Sequence, residues 1–181
     1  MAYHDALTGL PNRTLFNDRL NMAILNAQRN HKRAAVMMLD LDKFKQINDV
    51  WGHKFGDLLL KTVGERLIIT LRKSDTVARM GGDEFLVIIP EVDHVEDTDI
   101  IAGKILQAFS ETFVISDRNL SVTTSVGIAM YPQDGKDAET LIKHADIAMY
   151  AAKTTGRNQY GRYSPHMQDS VAKQCTNRQP Q

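Results

Sequence analysis

Apolar side chains recur at Leu15, Phe16, Leu20, Ile24 and Leu25, the spacing of one helical face, and Asn12 stands directly after Pro11 where it can cap a helix running to about Asn30. The next apolar stretch, residues 34–42 (AAVMMLDLD), is too short and too continuous for a helix and reads as a buried strand ending in acids. Residues 44–50 then suggest a short helix, interrupted at Trp51 and Gly52. A second amphipathic helix follows over 55–71, with Leu58, Leu59, Val63, Leu67 and Leu71 on its inner face. Residues 76–79 and 85–89 read as two strands joined by a short segment with two glycines, a hairpin signal. Beyond Pro90 the pattern gives a helix over 97–113, strands over 113–115 and 120–130, and a helix over 138–155 that Gly156 stops. The order αβααββαββα describes a mixed α/β (α+β) chain with a ferredoxin-like βαββαβ core, additional helices and a hairpin. From Ser164 the chain turns polar, with Pro165 and Pro180. Residues 1–163 are therefore expected to form the domain, and 164–181 a frayed tail or a linker to another domain.

Composition changes this picture little but excludes several functions. A chain of 181 residues with 43% hydrophobic positions fits one domain with a real core. Lys plus Arg and Asp plus Glu number 22 each, so no overall field draws nucleic acid or an anionic membrane, and any phosphate site is local. The single Cys175 leaves no internal disulfide and fits a reducing cytosol. No apolar stretch approaches the ~20 residues that span a bilayer. The expectation is a cytoplasmic domain, which could belong to a longer, membrane-attached protein.

The chemistry concentrates in RMGGDEFLVII, residues 79–89, where two carboxylates stand in front of an apolar run. A hairpin reconciles them: the turn stands in solvent at the end of the sheet while the adjoining strand is buried. The glycines permit positive φ and close approach of a ligand. If strand 34–39 lies beside this hairpin, Asp40 emerges near Asp83 and Glu84, and three converging carboxylates favour a bound cation. Few carboxylates with room for water and phosphate suit Mg²⁺. An EF-hand reading of DLDKFKQINDVWG fails, because Lys45 stands where the loop needs glycine and no Glu follows at the twelfth position.

Five stretches then carry a resemblance: DALTGLPNR at 5–13, DLDKFKQINDVWGHKFGD at 40–57, RMGGDEF at 79–85, SVGIA at 125–129 and ADIAMYAAKTTGRN at 145–158. Together, and in this order, they resemble the GGDEF family of diguanylate cyclases. The resemblance implies a fold related to nucleotidyl cyclase catalytic domains. It also implies condensation of two GTP into cyclic di-GMP, with one GTP on each subunit of a homodimer and Mg²⁺ or Mn²⁺ as cofactor. By resemblance Asp40, the carbonyl of Leu41, Asp83 and Glu84 bind metal, with Asp40, Asp83 and Glu84 catalytic. Asn48 and Asp57 read guanine, Leu60 packs on the base, and Lys45, Lys153 and Arg157 hold phosphates. Arg72 and Asp75, in RKSD, resemble an inhibitory site for the product, which normally requires another arginine that the sequence does not place. The role of Arg79 stays open, and DALTGLPNR is assigned a structural or signal-relaying role. A catalytically silent module that binds GTP or cyclic di-GMP and regulates an attached phosphodiesterase is the alternative.

Overall fold

A computed structural model describes residues 2–176. The elements in chain order are α1 (Arg13–Arg29), β1 (Arg33–Leu41), α2 (Phe44–Trp51), α3 (His53–Thr70), β2 (Thr76–Gly81), β3 (Glu84–Val92), α4 (Val95–Ser110), β4 (Phe113–Ile115), β5 (Arg118–Leu120), β6 (Thr124–Tyr131), α5 (Ala138–Thr154), β7 (Tyr160–Arg162) and α6 (His166–Thr176). Asn12 caps α1 as expected, its side chain accepting from the Leu15 N–H.

The main sheet has the order β2-β3-β1-β6-β7, antiparallel except for the β6–β7 pair. Its first four strands are those of a ferredoxin-like βαββαβ core, so the expected fold class holds. β1 sits in the middle and is buried on both faces, which explains why its sequence reads as a continuous apolar run. Alternation along it assigns the two layers. Met37, Leu39 and Leu41 join Leu59, Leu60, Val63, Leu67, Ile105 and Phe109 from α3 and α4. Val36 and Met38 join Phe16, Leu20, Ile24, Leu141, Ala145 and Met149 from α1 and α5. By the same alternation Asp40 points toward the α1/α5 layer, at the end of the strand.

Four expectations need correction. Leu25 and Leu58 are more than two-fifths exposed and belong to the outer faces of their helices. The strand expected over 120–130 is broken: residues 121–123 leave the sheet to serve Asp42, whose N–H donates to the Thr123 carbonyl and whose carboxylate accepts from Thr123 Oγ1 and Ser125 Oγ. β7 was not anticipated, since three residues carry no period. The polar stretch from Ser164, expected as a frayed tail or a linker, begins with a helix, α6, and Gln168 from it meets the His144 ring, which also stacks on Tyr163. The rest of that stretch, 177–181, lies outside the described residues.

Candidate active site

The hairpin between β2 and β3 turns at Gly82 and Asp83, with Gly81 opposite Glu84. Gly81 (φ 133°) and Gly82 (φ 52°) both take the positive dihedrals that side-chain-bearing residues avoid, so the turn needs its glycines. Across the next ladder Asp40 faces Glu84 on one side and Ser125 on the other. Strand pairing therefore brings the end of β1 to the signature turn, and the Leu41 N–H points at the Asp83 carbonyl.

The turn is held from behind. Arg79 donates from Nε and Nη2 to the Gly82 carbonyl and from Nη1 to Asp5 Oδ1 at 2.8 Å. Asp5 also accepts from the N–H and hydroxyl of Thr8. Burial opposes the charge on Asp5, but the Thr8 hydrogen bonds and the Arg79 guanidinium hold its carboxyl below the usual range. Arg79 is thus a clamp between the DALTGLPNR loop and the signature turn, a partnership invisible in sequence because the residues are far apart.

Electrostatics at the strand ends are crowded. Burial and the neighbouring Asp40 carboxylate push the Asp83 carboxyl up to about 7. Burial and the charges of Asp146 and Asp40 raise Glu84, against the opposing pull of Arg13 and Lys153. Burial and Asp40 likewise raise Asp146. Lys153, reaching in from the last turn of α5, forms an ion pair and hydrogen bond with Asp40 Oδ2, while Asp40 Oδ1 is buried without a partner. Among the described residues no three acidic, histidine or cysteine side chains form a closed metal cage. The expected three-carboxylate cluster is looser than that, because Glu84 also lines a cleft between α1 and α5 with Arg13 and Asn17. An open site with one or two carboxylates and an unused carboxylate oxygen still fits Mg²⁺, which retains water and takes oxygens from phosphate.

The other sequence candidates are dispersed around this edge. Asn48 lies against the start of α3, where its Oδ1 is buried without a donor, and Asp57 is exposed one turn further on. A methyl group on Gly56 would stand 1.9 Å from Asn48 Oδ1, so the helix approaches closely only because residue 56 lacks a Cβ. Leu60 is 2% exposed and belongs to the α3/α4 core. Lys45 is exposed on α2. Lys153 and Arg157 do not share a face: α5 ends at Thr154, Gly156 (φ 141°) breaks it, and Arg157 lines a cleft of about 510 Å³ with Lys43, Gln46 and Trp51. Arg72 and Asp75 line a separate cleft of about 880 Å³, together with Lys104 and His94. The expected further arginine does not line it among the described residues. Asp146 was missed in the sequence; its place seven residues before Lys153 on one helix, two turns along one face, was the available signal.

The family model for the diguanylate cyclase GGDEF domain matches residues 2–159. Over 174 residues, 96% of this chain, the sequence is 44% identical to the bifunctional diguanylate cyclase/cyclic di-GMP phosphodiesterase MucR of Pseudomonas aeruginosa, of which it spans 25%. It is also 44% identical to the cyclic di-GMP phosphodiesterase NbdA of the same organism, over 87% of this chain and 20% of that protein. The isolated GGDEF domain of TpbB (YfiN) from Pseudomonas aeruginosa superimposes with a TM-score of 0.90 at 36% identity, covering 93% of this chain and 99% of that one. The GGDEF domain of DgcB from Caulobacter crescentus, solved with cyclic di-GMP, superimposes with a TM-score of 0.77 at 29% identity, covering 90% of this chain and 93% of that one. Among the described residues no helix is long and apolar enough to cross a membrane.

Proposed function

Because the chain belongs to the GGDEF family of diguanylate cyclase domains, we propose that it condenses two GTP into cyclic di-GMP across a homodimer. The observation that carries this reading is the meeting of Asp40, Asp83 and Lys153 at one sheet edge, with one carboxylate oxygen left unpaired. In each half-reaction a GTP 3′-oxygen bonds to the α-phosphorus of the facing GTP, and the bond from that phosphorus to the bridging oxygen breaks, releasing pyrophosphate. Asp40, Asp83, Glu84 and the Leu41 carbonyl would hold Mg²⁺ or Mn²⁺, which neutralises charge on the transferring group and lowers the pKa of the attacking hydroxyl. Lys153, Lys45 and Arg157 would supply the cations for the phosphates.

Guanine selection falls to Asn48 and Asp57. Asn48 Oδ1, an acceptor with no donor, complements the guanine N–H edge together with the Asp57 carboxylate, and adenine would leave these groups unmatched. Gly56→Ala displaces the Asn48 amide, which can swing aside. It is expected to raise KM for GTP about tenfold with little loss of stability, measured by steady-state kinetics and thermal melting. An unchanged KM would remove Asn48 from base recognition.

The second cleft is proposed to take the product. Arg72 would pair with phosphate and guanine, and Asp75, whose Oδ2 accepts from the Arg72 N–H at 3.0 Å, with a base edge. Arg72→Ala is expected to raise the half-inhibitory concentration of cyclic di-GMP more than about tenfold while leaving the initial rate intact. Product-titrated initial rates test this, and equal inhibition of both proteins would refute it.

The match to NbdA, named a phosphodiesterase, favours one further reading, a silent module that regulates an attached domain. The chain spans at most about a quarter of these first two relatives, so the activity of a whole protein containing it is itself part of the proposal. Chromatography of nucleotides after incubation with GTP and Mg²⁺, over a dilution series, separates the readings. Cyclic di-GMP with specific activity rising with protein concentration supports the cyclase and its dimer. GTP binding without product at every concentration supports the silent module.

A further inference from the structure

The two oxygens of Asp40 differ: Oδ2 receives the Lys153 ammonium and Oδ1 has no partner. The Lys153 and Asp40 side chains are 23% and 12% exposed, so the pair is largely withdrawn from water, where charges interact more strongly. Asp83, Glu84 and Asp146 add three more carboxyls around it, and among the described residues no other side-chain cation bonds to Asp40. A buried carboxylate needs compensation, and Lys153 supplies it.

We infer that Lys153 is the resident counter-ion of Asp40, handed over to the phosphates of an incoming nucleotide so that nucleotide binding opens Asp40 to a divalent cation. This rests on the reading of Asp40 as a metal ligand. An ammonium and a divalent cation on the same carboxylate repel each other, so each weakens the other's hold. Asp40 is fixed by its ladder positions opposite Glu84 and Ser125, whereas Lys153 sits on a flexible four-carbon stem at a helix end. The lysine is therefore the partner that moves, and a triphosphate is the group that can receive it. Metal and nucleotide binding are coupled in both directions as a result, each favouring the other. The domain does not load metal idly.

Electron paramagnetic resonance of Mn²⁺ binding tests this without catalysis, in wild type, Lys153→Met and Asp40→Asn. Without nucleotide, Lys153→Met is expected to bind Mn²⁺ at least about tenfold more tightly than wild type. A GTP analogue lacking the 3′-hydroxyl is expected to tighten Mn²⁺ binding more in wild type than in the variant. Equal Mn²⁺ affinities of wild type and Lys153→Met without nucleotide would overturn the handover while leaving the metal site standing. Asp40→Asn binding Mn²⁺ like wild type, or no binding by any protein even with the analogue, would remove the metal reading and the handover with it. Wild type alone offers a second check by mass spectrometry: saturating Mn²⁺ should raise acetylation of Lys153 by acetic anhydride several-fold, and unchanged labelling would overturn the handover.

Discussion

Asp83→Asn is expected to abolish cyclic di-GMP formation, by about a thousandfold or more, while making the nucleotide-free protein more stable at pH 8. Both effects have one cause. Asp83 is half-buried beside Asp40, and its carboxyl is pushed up to about 7, first by burial and then by its neighbour. A raised carboxyl binds a proton in the folded chain that the unfolded chain has already released. The stability it gives is complete below the ordinary carboxylate range and is lost as pH rises toward 7. At pH 8 wild type carries the repulsion between Asp40 and Asp83; the asparagine amide instead donates a hydrogen bond to Asp40. Because Asp83 is partly exposed, solvent screening reduces the gain to about 1 kcal/mol, a few degrees in Tm. The same substitution removes a metal carboxylate under the proposed mechanism. Melting curves at pH 4 and pH 8 check the first effect: the variant's advantage should appear only at the higher pH. Equal pH dependence of the two proteins would show that the two carboxyls do not interact.

Much of this edge was legible in the sequence because it is built from short-range signals. Two glycines before two acids marked a turn, and an apolar run ending in Asp40 marked a strand exit. Placing both at one end of the sheet needed only an adjacent pairing of β1 and β3, which the register supplies. What stayed hidden depends on long-range partners. Lys153 and Asp40 lie 113 residues apart, and Arg79 and Asp5 lie 74 apart; nothing local announces either pair. The position of Arg157 was legible only in part. The helix stop at Gly156 was visible beforehand, but the left-handed dihedrals at Arg157 and Asn158 that redirect the chain after it were not. The break at 121–123 arises because the buried Asp42 draws those residues out of the ladder to satisfy its carboxylate, a demand that strand propensity does not register. α6 went unseen because it has few apolar positions from which to read a period.

Gly127→Ala should cost more stability than any surface change in the domain, about 3 kcal/mol or more, lowering Tm by roughly 10 °C. Gly127 lies on β6 opposite Met38, beneath α5. A Cβ there would stand 2.1 Å from both the Ala145 carbonyl oxygen and the Met149 nitrogen, and 2.8 Å from the Ala148 carbonyl carbon. All three are backbone atoms, so no rotamer change relieves the clash, and the whole helix must lift off the sheet. Small residues at Ala145, Ala148 and Ala152 otherwise let α5 lie close, which gives the helix its buried face. The same close approach sets the depth at which Lys153 enters the Asp40 edge. Any folded fraction of Gly127→Ala should therefore have its lysine displaced and make little product. Gly103→Ala provides the contrast. It sits within α4 with nothing within 4 Å of its would-be Cβ, and gaining a better helix former there should stabilise the protein by about 0.5–1 kcal/mol. Urea denaturation of both variants measures the difference. A Gly127→Ala protein within about 1 kcal/mol of wild type would mean that α5 can shift freely, and that the position of Lys153 is not fixed by its packing on β6.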